Sequence, residues 1–263
     1  MIPKVIHYCW FGGGEKSNLI KQCINTWKTI MPDYELKEWN EQTFDLNSVP
    51  FVREAYLAKK WAFVADYVRL YALYHCGGVY LDTDVKVLRK FDSFLQYGFF
   101  TCQETHPEDF DPKSILADGT RNPQYDYVLG IGLCSAVMGA EKGCNYIKDC
   151  LDFYQGIHFQ EGQENDLVIV NLIARVLEKY GYRYVTNVEQ TLRGNMKIML
   201  PYTFAGIKTL TDESYAIHLY NGSWLESSKS LKHRLRNRFP NIYTLIQNMY
   251  YRCKVHPRKT SRN

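Results

Sequence analysis

Residues 61–76, WAFVADYVRLYALYHC, are almost wholly apolar and stop at Gly77-Gly78. A run of this length fits a buried helix, and glycine just past a helix end accepts a left-handed conformation at low cost. The chain then reads as a strand from Val79 to Leu88. Val79, Leu81, Thr83, Val85 and Val87 would share one face, and Tyr80, Asp82 and Asp84 the other. A buried helix that feeds a buried strand through two glycines is the unit of an α/β fold, because each element covers the other's apolar face.

The remaining sequence extends this alternation. Residues 2–11 predict a buried first strand that ends at Gly12-Gly13-Gly14. Lys16–Ile30 predicts a helix capped by Ser17 or Asn18, with Leu19, Cys23, Ile24 and Trp27 at helical spacing. Tyr34–Trp39 alternates as a second strand, and Phe51–Ala58 reads as a helix. Residues 104–126 are polar, contain Pro107, Pro112 and Pro123, and read as a long surface loop, a lid or an acceptor-binding segment. Tyr127–Met138 reads as a core strand, Asn145–Tyr154 and Asp166–Tyr180 as helices, and Tyr215–Leu219 as a short late strand. Gln163-Glu164-Asn165-Asp166 opens the second of those helices with acidic residues, which capping explains. No linker divides the chain before about Ser227, so the expected organisation is one domain over 1–227 and an extension over 228–263.

Charge separates these two parts. From Lys229 onward there are ten Lys/Arg and no Asp/Glu, whereas the preceding body is net acidic. Phe239, Ile242, Leu245, Ile246, Met249 and Tyr250 recur at roughly helical spacing in the tail. Two readings stay open for it: a helix packed on the domain, or an amphipathic helix that meets anionic lipid. The acidic body argues against nucleic acid as a partner. The eight cysteines are scattered, without CxxC or zinc spacing, and read as reduced thiols. The first residues lack the apolar core of a secretory signal, and no run of roughly 18 apolar residues occurs. The expected location is therefore cytoplasmic, either free or peripheral at the inner face of a membrane.

Asp82-Thr83-Asp84 is the sharpest chemical feature. Two carboxylates two residues apart can hold a hard cation such as Mn²⁺ or Mg²⁺, which prefers oxygen ligands. A cation so placed would offset charge on a departing diphosphate. Asp-x-Asp alone also describes the solvated face of a strand. Asp66 and Arg69, three apart on an otherwise apolar helix, form either a local ion pair or a polar spot that faces a cleft.

Taken together, Ala65-Asp66-Tyr67-Val68-Arg69, Leu73 and Gly77-Gly78-Val79-Tyr80-Leu81-Asp82-Thr83-Asp84 resemble the sugar-binding region containing the DXD motif in glycosyltransferase family 32. That family includes initiating mannosyltransferases and capsular polysaccharide enzymes, and is similar to the glucosyltransferase domains of clostridial toxins. Ile2–Gly12 resembles the family's opening strand. The resemblance implies a GT-A-type fold, α/β with a mixed, mostly parallel central sheet. It implies that Trp10 stacks on the nucleotide base and that Asp66 and Arg69 bind the donor sugar. Tyr80 would line the same pocket, Asp82 would lie near ribose and sugar, and Asp84 would ligate the metal. His218-Leu219-Tyr220-Asn221-Gly222-Ser223-Trp224 looks like the family's late segment. By that likeness His218 lies near the metal or phosphates, and Ser223 and Trp224 contact the β-phosphate. His218 is also readable as a core histidine, and Trp10 as core packing.

The expected function is a retaining, metal-dependent transfer of a hexose from a nucleotide-sugar, UDP-linked in the first instance. The acceptor would be a saccharide, free or lipid-linked, in surface polysaccharide (capsule) synthesis. No nucleophile or base is identifiable, which points to a front-face displacement. The alternatives are a GDP-mannose-dependent mannosyltransferase, a hydrolase or nucleotidyltransferase acting on nucleotide-sugars, and a non-catalytic carbohydrate or membrane-surface binding module.

Overall fold

The computed structural model describes residues 1–160 and 169–221. The basic tail, the 227/228 boundary, Ser223 and Trp224 lie outside the described residues, as does the acidic helix start at 163–166.

Strand β1 (Val5–Cys9) leads into helix α1 (Asn18–Ile30) and strand β2 (Glu35–Trp39). The Ser17 side chain accepts from the Ile20 N–H at 3.4 Å, which caps α1 as expected. Helices α2 (Pro50–Leu57) and α3 (Trp61–Cys76) follow, and then β3 (Gly78–Leu81). β2 pairs with β1 on one side and β3 pairs with it on the other, both in parallel. The chain thus winds away from β1 in one direction and returns on the opposite side. In open α/β sheets, ligands bind outside the carboxyl ends of strands at such a switch point. Trp10 follows the end of β1 and Asp82 follows the end of β3.

The glycine pair is required by space as well as by conformation. Gly77 has φ +69°, and a Cβ there would lie 2.7 Å from the Lys142 nitrogen. Gly78 has φ +121°, and a Cβ there would lie 2.6 Å from the Val5 carbonyl oxygen. Any side chain would separate β3 from β1.

The strand expected over 79–88 is broken. β3 ends at Leu81, and Asp82–Asp84 form a turn closed by the Val85 N–H donating to the Asp82 carbonyl at 2.9 Å. The chain then enters β4 (Val85–Val87), which belongs to a second sheet. Helix α1 holds it there: the Trp27 indole N–H donates to the Val85 carbonyl at 2.8 Å, and Thr26 Oγ1 accepts from the Val87 N–H at 3.0 Å. Asp82 and Asp84 therefore share a turn rather than a strand face.

Further along are β5 (Phe99–Thr105), β6 (Ile131–Leu133), β7 (Val137–Ala140), helices α4 (Asn145–Phe153) and α5 (Ile169–Leu177), then β8 (Gln190–Leu192), β9 (Met196–Met199), β10 (Phe204–Gly206) and β11 (Ala216–His218). The large sheet has the order β2-β1-β3-β7-β5-β9-β8, with β6 beside β5, and the small one has β10-β11-β4. The architecture is α/β with a mixed sheet, as expected. Its parallel share is smaller than expected: β1/β2, β1/β3 and β5/β9 are parallel, while β3/β7, β5/β7, β5/β6 and β8/β9 are antiparallel. The short connection from β8 to β9 makes antiparallel neighbours, since a parallel return needs a longer crossover, while β6 and β7 lie one after the other along β5, each antiparallel to it.

The segment 127–138 is two short strands and not one, with Ser135 between them. Part of the expected 104–126 loop is ordered by short 3₁₀ turns and a bridge from Ile115 to Arg121. One apolar core lies where α2, α3, α4 and α5 cover the sheet. A second lies between the sheet and α1, around Trp27, Phe91, Phe94 and Phe204. Among the described residues no helix is long and apolar enough to cross a membrane, and none of the described cysteines is in a disulfide.

Candidate functional site

Apart from an exposed His75 in its last turn, helix α3 is apolar all round except for Asp66 and Arg69, and both of these are buried. A buried guanidinium is tolerable only if its donors are used. Arg69 Nη2 pairs with Asp66 Oδ1 at 2.8 Å and approaches Asp82 Oδ1 at 3.5 Å. Nη1 donates to the Ser135 carbonyl at 2.7 Å, and Nε donates to the Ala65 carbonyl at 3.3 Å. The guanidinium also lies over the Tyr80 ring, 4.7 Å from its centroid. Arg69 thus ties α3 to the turn after β3 and to the break between β6 and β7. Burial pushes the Asp66 carboxyl up to about 7 against the pull of Arg69, and Asp82 adds to the push.

The turn after β3 meets the end of β11. β11 pairs antiparallel with β4, placing His218 opposite Val85, the residue after Asp84. His218 Nε2 lies 3.3 Å from Asp84 Oδ1, and the Asn221 N–H donates to Asp84 Oδ2 at 2.6 Å. Burial alone would raise the Asp84 carboxyl, but the imidazole of His218 and the Asn221 N–H overcome it and hold it low. Burial likewise works to lower His218, yet the Asp84 carboxylate outweighs it and lifts the imidazole to about 9. Asp82 is held from the other side by the Tyr80 hydroxyl, which donates to Oδ1 at 2.9 Å.

Asp82, Asp84 and His218 each bring one ligand atom into a group whose members all lie within 4.8 Å of one another. Two carboxylates and an imidazole form a donor set that can hold a divalent cation. The second ring nitrogen of His218, Nδ1, is buried and has no hydrogen-bond partner among the described residues. Two acids packed against an imidazole with an unused nitrogen fit a divalent cation.

These groups open onto one cleft of about 640 Å³, lined by Trp10, Asp66, Arg69, Tyr80, Asp82, Asp84 and His218 among others. Seven of the nine residues singled out from sequence therefore converge; the other two, Ser223 and Trp224, lie outside the described residues. Trp10 stands at the end of β1 with its indole N–H donating to the Gly14 carbonyl at 2.6 Å and the Lys16 ammonium 5.2 Å from a ring centroid. Tyr80 is deeper than expected: its ring is buried and serves as a floor beneath Arg69 and Asp82.

Several lining residues escaped the sequence reading. Trp61 lines the cleft at the first turn of α3, hidden in a run that looked like core. Ser135 lines it from the break between β6 and β7, where its apolar neighbours suggested unbroken strand. Tyr220 and Asn221, named from sequence within the late segment but given no role, line it beyond β11.

The family described as "Glycosyltransferase sugar-binding region containing DXD motif" matches residues 17–100, a span that contains Asp66, Arg69, Asp82 and Asp84 but neither Trp10 nor His218. Among curated proteins, inositol phosphoceramide mannosyltransferase 3 of Schizosaccharomyces pombe is 34% identical over 108 residues, 36% of this chain and 28% of that protein. Inositol phosphoceramide mannosyltransferase 2 of the same yeast is 30% identical over 141 residues, 49% of this chain and 38% of that protein. The chain thus spans between 28% and 38% of the length of these curated relatives. Among solved structures, the PaToxG glycosyltransferase has a TM-score of 0.47 at 20% identity, with 68% of each chain covered. The galactosyltransferase LgtC has a TM-score of 0.42 at 12% identity, covering 92% of this chain and 95% of that one.

Proposed function

We propose that this chain, a glycosyltransferase of the DXD-containing family 32 type, moves a hexose from a nucleotide-sugar to a saccharide acceptor on a GT-A-type scaffold, with a divalent cation held by Asp82, Asp84 and His218. One observation carries this reading. A buried Asp66–Arg69 pair, a two-acid turn, an imidazole and an indole come from four separate stretches of sequence and border one cleft.

Each residue has a task that follows from its surroundings. Trp10 offers a flat apolar face for a nucleotide base. Asp66 turns a carboxylate into the cleft while Arg69 holds it at 2.8 Å, so the pair can orient sugar hydroxyls without reorganising. Tyr80 fixes Asp82 at 2.9 Å, and the Asn221 N–H fixes Asp84 at 2.6 Å. Mn²⁺ or Mg²⁺, when bound, supplies positive charge to offset that on the departing diphosphate. Ser223 and Trp224 extend this role to the β-phosphate side. Transfer with retention at the anomeric carbon, by front-face displacement, completes the reading.

The donor is a UDP-hexose by resemblance of the motif. The names of the yeast relatives favour mannose, and hence GDP-mannose as the second candidate. Those relatives act on inositol phosphoceramide by name, which supports a lipid-linked acceptor and a peripheral position at a membrane, with the basic tail as contact. A role in capsule synthesis is a further part of this reading.

A thermal-shift series with UDP-glucose, UDP-galactose and GDP-mannose, each with and without Mn²⁺, tests the donor site. A true donor raises the melting temperature in a metal-dependent way, since only the folded state binds it. Product mass with and without an acceptor saccharide then separates transfer from hydrolysis. Asp84→Ala should abolish turnover; unchanged turnover would remove the metal assignment.

A further inference from the structure

From His218 to Asn221 the chain bends around Asp84. The Leu219 N–H donates to the Asp84 carbonyl at 3.2 Å, and the Asn221 N–H donates to Asp84 Oδ2 at 2.6 Å. The residue between them, Tyr220, has φ +48°. That left-handed conformation is what brings two N–H groups two residues apart onto the same aspartate. It is uncommon for a bulky side chain and easy for glycine or asparagine. A tyrosine there must be held by its contacts.

Among the described residues, contacts of three kinds hold it. The ring lies against the His218 imidazole, with centroids 4.0 Å apart and planes tilted by 37°. The ring edge rests on Gly206 of β10, where a Cβ would come within 3.0 Å of Tyr220 Cε2. The hydroxyl donates to Glu104 Oε1 at 3.0 Å. Glu104 is anchored in β5, paired with Gly132 of β6, and the same carboxylate oxygen lies 3.1 Å from His106 Nε2. A carboxylate on the large sheet and a bare backbone on the small one thus grip one aromatic ring.

We propose that Tyr220 is a positioning residue for the cation site. Its ring fixes the plane of the His218 imidazole, its left-handed backbone delivers the Asn221 N–H to Asp84 Oδ2 so that Oδ1 faces His218, and Glu104 holds the hydroxyl in place. The inference rests on the reading of Asp82, Asp84 and His218 as a divalent-cation site. Groups that orient metal ligands typically account for about 10–100-fold in metal affinity.

The strain makes the inference testable, because glycine at position 220 affects fold and site in opposite directions. A turn residue with no further role would be replaced by glycine at no loss, or with a gain in stability. A positioning residue would lose metal affinity on the same replacement, whatever the stability does. Mn²⁺ binding to the full chain without donor, followed by the electron paramagnetic resonance of free Mn²⁺, is measured beside the melting temperature. Tyr220→Gly should melt at or above the wild-type temperature and bind Mn²⁺ about 10-fold or more weakly. Tyr220→Phe keeps the ring contact and should lose much less. Glu104→Gln keeps an acceptor for the hydroxyl and should stay close to wild type. Gly206→Ala presses a methyl group on the ring and should weaken Mn²⁺ binding independently, which keeps the idea refutable if Tyr220→Gly does not fold. Wild-type Mn²⁺ affinity in Tyr220→Gly, or in Gly206→Ala where the glycine variant does not fold, would overturn the positioning role. Equal Mn²⁺ binding by wild type and Asp84→Ala would instead overturn the cation site, and this role with it.

Discussion

His7 provides a quantitative test of how the sheet beneath the cleft is held. It lies in the middle of β1 and is fully buried. Its Nδ1 accepts the Trp39 indole N–H at 3.1 Å, which leaves the ring proton on Nε2, 2.7 Å from the Gly77 carbonyl. The neutral imidazole therefore links β2, β1 and the entry to β3, the strand that delivers Asp82. A second proton would have to go on Nδ1, against another N–H and away from water. Burial accordingly depresses His7 from 6.5 to about 4, with Lys37 adding to the effect and the Gly77 carbonyl opposing it. The unfolded chain binds this proton more readily than the folded one, so the contribution to stability is complete above pH 6.5. It is lost as pH falls from 6.5 towards about 4, and it levels off below that. At about 1.4 kcal/mol per pH unit, this interval amounts to about 3 kcal/mol. Carboxylates titrate in the same window, so the measurement is a difference between wild type and His7→Gln. Glutamine has one acceptor and one donor and does not titrate. Urea unfolding at several pH values gives each stability from the transition midpoint and slope. The wild type should lose about 3 kcal/mol more than the variant between neutral pH and about pH 4. A difference that stays flat across this window would refute the argument.

Removing the guanidinium with Arg69→Met should cost about 3–5 kcal/mol in urea unfolding, because buried Asp66 loses its partner and Asp82 a neighbouring charge; Asp66→Asn in the same background should restore part of it. Trp27→Phe keeps most of the buried ring but leaves the Val85 carbonyl without its indole donor, and should cost about 1–3 kcal/mol by the same measurement. Gly78→Ala places a methyl 2.6 Å from the Val5 carbonyl oxygen at φ +121°, and should lower both the melting temperature and Mn²⁺ affinity by pushing β3 from β1.

How much of this was legible depended on the kind of signal. Helix α3, its glycine stop and β3 were readable because a sixteen-residue run that is almost wholly apolar leaves a helix few alternatives. α1 was readable from its Ser17 cap and the spacing of Leu19, Cys23, Ile24 and Trp27. Strands β8, β9 and β10 were not anticipated: they have three or four residues each, too few to display a period, and exist through their pairing. The break at Asp82 was invisible for the opposite reason. Alternation continues from Val79 to Val87 without a glycine or proline, and only the capture of Val85 and Val87 by α1 sends the chain to a second sheet. Tyr220 carried no signal because left-handed positions are ordinarily marked by glycine or asparagine, and a tyrosine there contradicts its local preference. The acids themselves were legible, while the turn and the backbone that aim them were not.

The three-stranded sheet explains how such a site can be built from short pieces. A slip of one residue between β4 and β11 would carry His218 to the opposite face, since side chains alternate along a strand. Strands of three residues cannot resist such a slip by themselves. The register is fixed instead by contacts at both ends. At one end, the Leu88 and Arg89 N–H groups both converge on the Tyr215 carbonyl, at 2.8 and 3.1 Å. At the other, the Leu219 N–H reaches the Asp84 carbonyl and the Asn221 N–H reaches the Asp84 carboxylate. Asp84 therefore acts twice, with its backbone as part of the pairing and with its side chain as part of the candidate cation site. A displacement that spoiled the pairing would also separate Asp84 from His218. Strand register and ligand geometry are thus a single constraint, which is why a donor set drawn from residues 82, 84 and 218 can be held ready in a sheet this small.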